Sequence, residues 1–178
     1  SAVLKTERYT RGNRLDVSKP TQAKKIVLRQ NKNEVKSGNK IVAIACSTGG
    51  PKALQSVIPF LPKNLNAPVV LVQHMPAGFT KSMAERLNEI SPIQVKEAAD
   101  GDVLQKGIVY VAPGGKHMEI AKAADGRHKV VLNDMPAIGG LKPCANITYD
   151  SLIKSSYDEV VCVVLTGMGA DGTNGIIS

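Results

Sequence analysis

Tryptophan is absent, and aromatic residues make up only 3% of the 178-residue chain. A core made from this sequence has to be aliphatic, and an apolar content of 43% supplies enough Val, Ile, Leu and Ala for one. That is the composition of an α/β protein whose parallel strands are buried on both faces. Cysteine is scarce: Cys46, Cys144 and Cys162 form an odd set without CxxC spacing. This argues against a disulfide framework and against a zinc site, and it fits a reduced, cytoplasmic setting. The three histidines show neither HxH nor HExxH spacing, which argues against a catalytic metal. No run approaches the ~18 consecutive apolar residues of a membrane span, and the N-terminus lacks the apolar core of a signal peptide. Neither metal, cofactor nor membrane insertion is therefore expected.

The body of the chain also lacks any excess of one charge. The formal net charge of +8 resembles a nucleic-acid signal until it is located. Residues 1–40 hold 11 Lys/Arg against 3 Asp/Glu, whereas residues 41–178 hold 12 of each. With the whole excess at one end, composition gives no basic face to the body, and nucleic acid is not expected as a partner. Residues 1–40 are basic, polar and poor in large apolar groups, and read as an interdomain linker or tail. Residues 41–178 read as one domain.

What is present is a regular succession of apolar runs. The stretch Ile41-Val42-Ala43-Ile44-Ala45-Cys46-Ser47-Thr48-Gly49-Gly50-Pro51 reads as a buried strand over 41–46, a tight glycine turn, and a helix over 51–60. A second buried strand over 69–73 ends at His74, and a helix follows to Ile90. A short exposed strand is expected over 94–98 and another strand over 107–112. A β-hairpin pairs 117–121 with 129–133 around Asp125-Gly126. A helix over 147–156 precedes the most apolar strand, 160–165, which ends at Thr166-Gly167-Met168-Gly169-Ala170-Asp171-Gly172. The pattern predicts a doubly wound, mostly parallel sheet with helices on both faces and a small antiparallel hairpin.

Each of the three strongest strands delivers a polar residue just past its C-terminal end: Ser47, His74 and Asp171. Ligand sites of open parallel sheets lie outside the carboxyl ends of the strands, so three distant segments are expected to be able to converge on one site. A serine needs a base to become nucleophilic, and the base needs an orienting carboxylate. Each residue also has a plainer reading. Ser47 suits an N-cap or a phosphate contact, His74 a strand-end histidine bonded to backbone, and Asp171 an ordinary turn residue. Ser47-Thr48-Gly49-Gly50 lacks the lysine of a P-loop, the GxGxxG of a dinucleotide site and the flanking glycines of GxSxG. Cys46 is a rival nucleophile that strand alternation points to the other side of the sheet. His117 and His128 belong to the hairpin, where exposed or structural roles are expected.

Four segments together are more specific. Ala45–Pro51, Val72–Thr80, Val111–Met118 and Leu165–Gly172 closely resemble the bacterial chemotaxis protein-glutamate methylesterases, the CheB family, over residues 40–178. The resemblance implies a serine hydrolase that demethylates glutamate methyl esters, and deamidates glutamines, on the cytoplasmic helices of chemoreceptors. It carries the roles of nucleophile, general base and orienting acid onto Ser47, His74 and Asp171. Thr48 and Gly49 then belong to the catalytic loop, and the backbone N–H of Met168 helps to hold the oxyanion. It further implies a receiver domain joined through a linker, for which residues 1–40 stand. Two departures accompany it. The family's His-Arg-Pro-Ser-Val-Asp stretch reads Leu141-Lys142-Pro143-Cys144-Ala145-Asn146 here, and the catalytic domain is expected to be truncated at its C-terminus. A catalytically impaired receptor-binding or regulatory fragment of the same fold is the alternative.

Overall fold

The computed structural model describes residues 38–167 and 171–172. Among these residues, five parallel strands form the central sheet in the order β3-β4-β2-β1-β7. They are β1 (Lys40–Cys46), β2 (Val69–Gln73), β3 (Gln94–Glu97), β4 (Ile108–Val111) and β7 (Glu159–Val164). The helices are α1 (Gly50–Val57), α2 (Phe79–Ile90) and α3 (Ala145–Lys154), and β5 (His117–Lys122) pairs antiparallel with β6 (His128–Asn133). This is the architecture expected from the apolar runs.

Alternation along the strands sorts their side chains into two cores. Ile41, Ala43 and Ala45 of β1, with Val70 and Val72 of β2, pack against Met118, Ile120 and Val130 of the hairpin and Tyr149 and Leu152 of α3. The alternate residues, Ile44, Cys46, Val69 and Leu71, pack against Leu54 of α1 and Ala84 and Leu87 of α2. Both faces of β1 and β2 are thus covered, as a parallel sheet requires. The aliphatic expectation holds with two additions: Tyr110 and Tyr149 are buried to the ring. Each satisfies its hydroxyl on backbone, Tyr110 donating to the Val103 carbonyl and Tyr149 to that of Val163.

The chain leaves β1 toward β2 on one side and returns to pair β7 with β1 on the other. This reversal places the carboxyl ends of β1 and β7 side by side, where doubly wound sheets open a crevice. One detail adds to the expectation and one differs from it. The most apolar run, β7, is not buried throughout: Val161 and Val164 are 42% and 48% exposed, and among the described residues it pairs with β1 alone. Helix α3 begins at Ala145, two residues earlier than the pattern suggests, for a reason that lies in the site.

Candidate active site

The crevice is built from turns. Past β1, the Ser47 amide donates to the Thr166 carbonyl at 2.7 Å, and the Gly50 amide donates back to the Ser47 carbonyl at 2.8 Å. Gly49 takes φ +79, a left-handed conformation that a side chain resists, and so turns the chain into α1. Gly167 lies where a Cβ would come within 2.8 Å of Ser47 Cβ, so the third turn closes directly over the serine. Past β2, the His74 amide donates to the Cys46 carbonyl at 3.0 Å, the last rung of the β1–β2 ladder.

Ala45, Cys46, Ser47, His74, Val164, Thr166, Gly167 and Asp171 line one small cavity of about 50 Å³. The three residues singled out by their strand ends are therefore brought together. His74 Nε2 lies 2.7 Å from Asp171 Oδ2, with both side chains largely buried. The other ring nitrogen, Nδ1, is buried and has no partner among the described residues. The Ser47 hydroxyl donates no hydrogen bond among the described residues, so mutual bonding of all three is not present here. Such bonds are often open before substrate docks. Thr48 and Gly49 occupy the turn with their N–H groups donating to no other described residue, and Met168 lies outside the described residues.

Asp171 is held by more than histidine. Its Oδ2 accepts from the Ala145 amide at 2.6 Å, and its Oδ1 from the Asn146 amide at 3.0 Å and the Cys144 thiol at 3.1 Å. Asn146 Oδ1 in turn accepts from the Gly172 amide at 3.0 Å. Burial pushes the carboxyl pKa up, but the hydrogen bonds from His74, Ala145, Asn146 and Cys144 outweigh it and hold the group well below the usual carboxylate range. An ionised carboxylate at the first turn of a helix also meets the positive end of the dipole.

The same bonds explain why α3 starts early. No side chain within the local sequence caps it, and the capping acceptor comes from Asp171, 26 residues on. The departing segment 141–146 is thus where Asp171 is seated. Its Cys144 thiol is pushed up by burial and by the Asp171 carboxylate, and so remains a protonated donor.

His117, read as a hairpin residue with an exposed or structural role, is fully buried and structural. Its Nε2 pairs with the Pro136 carbonyl at 3.1 Å, and Nδ1 accepts from the Cys144 amide at 3.2 Å. It steadies the segment that holds Asp171. No local pattern announces this role, because the partners are 19 and 27 residues away. His128 is also buried, stacked on Tyr157 and bonded to the Ser155 carbonyl, away from the crevice. Cys46 points into the α1–α2 core as alternation predicts, and burial drives its thiol up to about 12.

A family profile described as CheB methylesterase matches residues 42–178. A Bacillus subtilis protein-glutamate methylesterase/protein-glutamine glutaminase is 54% identical over 140 residues, covering 79% of this chain and 39% of that protein. Its namesake from Clostridium acetobutylicum is 49% identical over 150 residues, 84% of this chain and 42% of that protein. The chain spans about two-fifths of the length of these curated relatives. The crystal structure of the Thermotoga maritima CheB methylesterase catalytic domain superposes with a TM-score of 0.75 at 46% identity, covering 78% of this chain and 73% of that one. Sequence along most of the domain and the arrangement of its backbone agree, and on both grounds this chain belongs to the CheB methylesterase family.

Proposed function

We propose that the domain is the hydrolytic part of a protein-glutamate methylesterase/glutaminase, with Ser47 as nucleophile, His74 as general base and Asp171 as orienting acid. The observation that carries this reading is the 2.7 Å pairing of His74 with Asp171 in the cavity that Ser47 lines. With Nε2 committed to Asp171, the unpartnered Nδ1 is the nitrogen left to take the serine proton.

Ser47 Oγ adds to the ester carbonyl of a methylated glutamate while its proton passes to His74. The tetrahedral oxyanion is met by backbone N–H groups, for which Thr48 and Gly49 at the start of α1, and Met168, are the candidates. Each such donor contributes on the order of 3 kcal/mol of transition-state stabilisation. Collapse expels methoxide, which takes the proton from His74 and leaves as methanol. Water then attacks the acyl-serine with His74 as base, freeing the glutamate carboxylate and restoring the serine. A glutamine side chain reacts by the same route, releasing ammonia. The ionised Asp171 orients the imidazole and stabilises the imidazolium formed twice in the cycle.

The substrates proposed are the cytoplasmic helices of chemoreceptors, which places the reaction in the cytoplasm, and a receiver domain is the proposed partner in the whole protein. Among the described residues, no helix is long and apolar enough to cross a membrane. The deciding experiment measures methanol release from methylated receptor by this chain beside a longer chain carrying a receiver domain. Release by either supports the esterase; receptor binding by both without release favours the impaired binding fragment.

A further inference from the structure

Gln73 is the last residue of β2, and its side chain lies beneath the start of α1 with only 2% of the residue exposed. Its neighbours on that face, Val69 and Leu71, are apolar. A primary amide buried among them is costly unless its hydrogens are used. They are: Nε2 donates to the Ser47 carbonyl at 3.0 Å and to the His74 carbonyl at 3.1 Å. Only an NH2 group satisfies two carbonyls, so the amide has one orientation. Its Oε1 is left facing Gly50, buried and without a partner among the described residues.

Gly50 is explained by the same side chain. Its φ is not in the left-handed region, unlike that of Gly49, so the turn does not demand a glycine there. A Cβ on Gly50 would instead collide with Gln73 Oε1, and would also meet Cys46 Cβ at 3.1 Å. The two adjacent glycines therefore serve different ends. Gly49 turns the chain, and Gly50 leaves room for the glutamine beneath it.

We infer that Gln73 is a positioning residue that ties the Ser47 turn to the His74 turn through its two amide hydrogens, with Gly50 as the space that admits it. This rests on the reading of Ser47 and His74 as nucleophile and base. No other described side chain bonds to both turns. Loss of the tie leaves the backbone bond from His74 to the Cys46 carbonyl at the base of the two turns, but lets the turns beyond it shift relative to each other while both residues remain intact. Misplacement of reacting groups by about 1 Å costs roughly 100-fold in rate.

The test compares wild type, Gln73→Met and Gly50→Ala in the full chain. Methanol release from methylated receptor is read as separate kcat and KM, and amide hydrogen exchange is followed at Gly50, whose N–H bonds to the Ser47 carbonyl. The expected result is a kcat lower by about 10- to 100-fold in both variants, with KM within about twofold. In Gln73→Met, exchange at Gly50 is expected to accelerate by roughly tenfold while Leu71 in β2 keeps its protection. A wild-type kcat in a folded Gln73→Met protein overturns the inference. Should neither wild type nor the longer chain release methanol, the esterase reading fails, and exchange alone decides: unaltered protection at Gly50 in Gln73→Met overturns the tie. If Gln73→Met does not fold, Gly50→Ala, which displaces Oε1, answers in its place.

Discussion

Asp171 caps helix α3 through the amide of Ala145, 2.6 Å from Oδ2, the same oxygen that lies 2.7 Å from His74. One carboxylate therefore joins His74 to the first turn of a helix. On the proposed reading, the same side chain serves both stability and activity.

Asp171→Asn is expected to separate the two contributions. The amide keeps one acceptor for α3 but loses the charge that orients and stabilises the imidazolium. Hydrolysis should fall by about 10³- to 10⁴-fold. Stability should fall by about 1–2 kcal/mol, from weakened capping of a buried helix start. Ester turnover and urea unfolding of the same preparation check the pair of values.

The depressed Asp171 pKa fixes the sign of an acid effect. A carboxyl bound more weakly to its proton in the folded state stabilises the fold above its unfolded pKa of about 3.9. That contribution is lost as pH falls through the lower, folded pKa. The stability gap between wild type and Asp171→Asn should stay level from neutral pH down to about pH 5 and narrow below about pH 4. Urea midpoints measured from pH 7 to pH 3 read this directly. A gap that widens on acidification contradicts the assignment.

Cys46 neighbours Ser47 in sequence but not in chemistry. Burial holds its thiol protonated up to about pH 12, facing the α1–α2 core. Cys46→Ala is expected to retain hydrolysis within a few-fold while losing about 1–2 kcal/mol of stability to the small cavity created. Iodoacetamide at neutral pH should label Cys46 only after unfolding. Catalytic loss on the scale of a removed nucleophile in Cys46→Ala would reverse the roles of the two residues.

Cys144 provides a graded probe of how Asp171 is seated. Cys144→Ser keeps a donor toward Oδ1 and places here the residue type found in the family's His-Arg-Pro-Ser-Val-Asp stretch. Cys144→Ala removes the donor. The serine variant should match wild-type kcat within about twofold, and the alanine variant should fall by about three- to tenfold, one hydrogen bond to a charged group being worth roughly 1.5 kcal/mol. Equal activities would mean that the thiol does not help to hold the acid.

Much of this was legible in the residues because it is encoded locally. The apolar runs ending at Cys46, Gln73 and Val111 announce β1, β2 and β4, and Asp125-Gly126 announces the hairpin. The convergence of Ser47, His74 and Asp171 on one crevice follows from where strands end in a parallel sheet. What escaped is non-local. Helix α3 starts two residues before its local pattern because its cap is supplied by Asp171 rather than by a neighbouring side chain. His117 gave no sign of supporting Cys144, and Gln73 read only as the end of a strand.

The central claim is that Ser47 is the nucleophile. Its most direct measurement is methanol release from methylated receptor by wild type and by Ser47→Ala at equal concentrations of folded protein. The account predicts release by wild type and a fall of about 10³-fold or more in the variant, with receptor binding retained. Release by Ser47→Ala at the wild-type rate would contradict it.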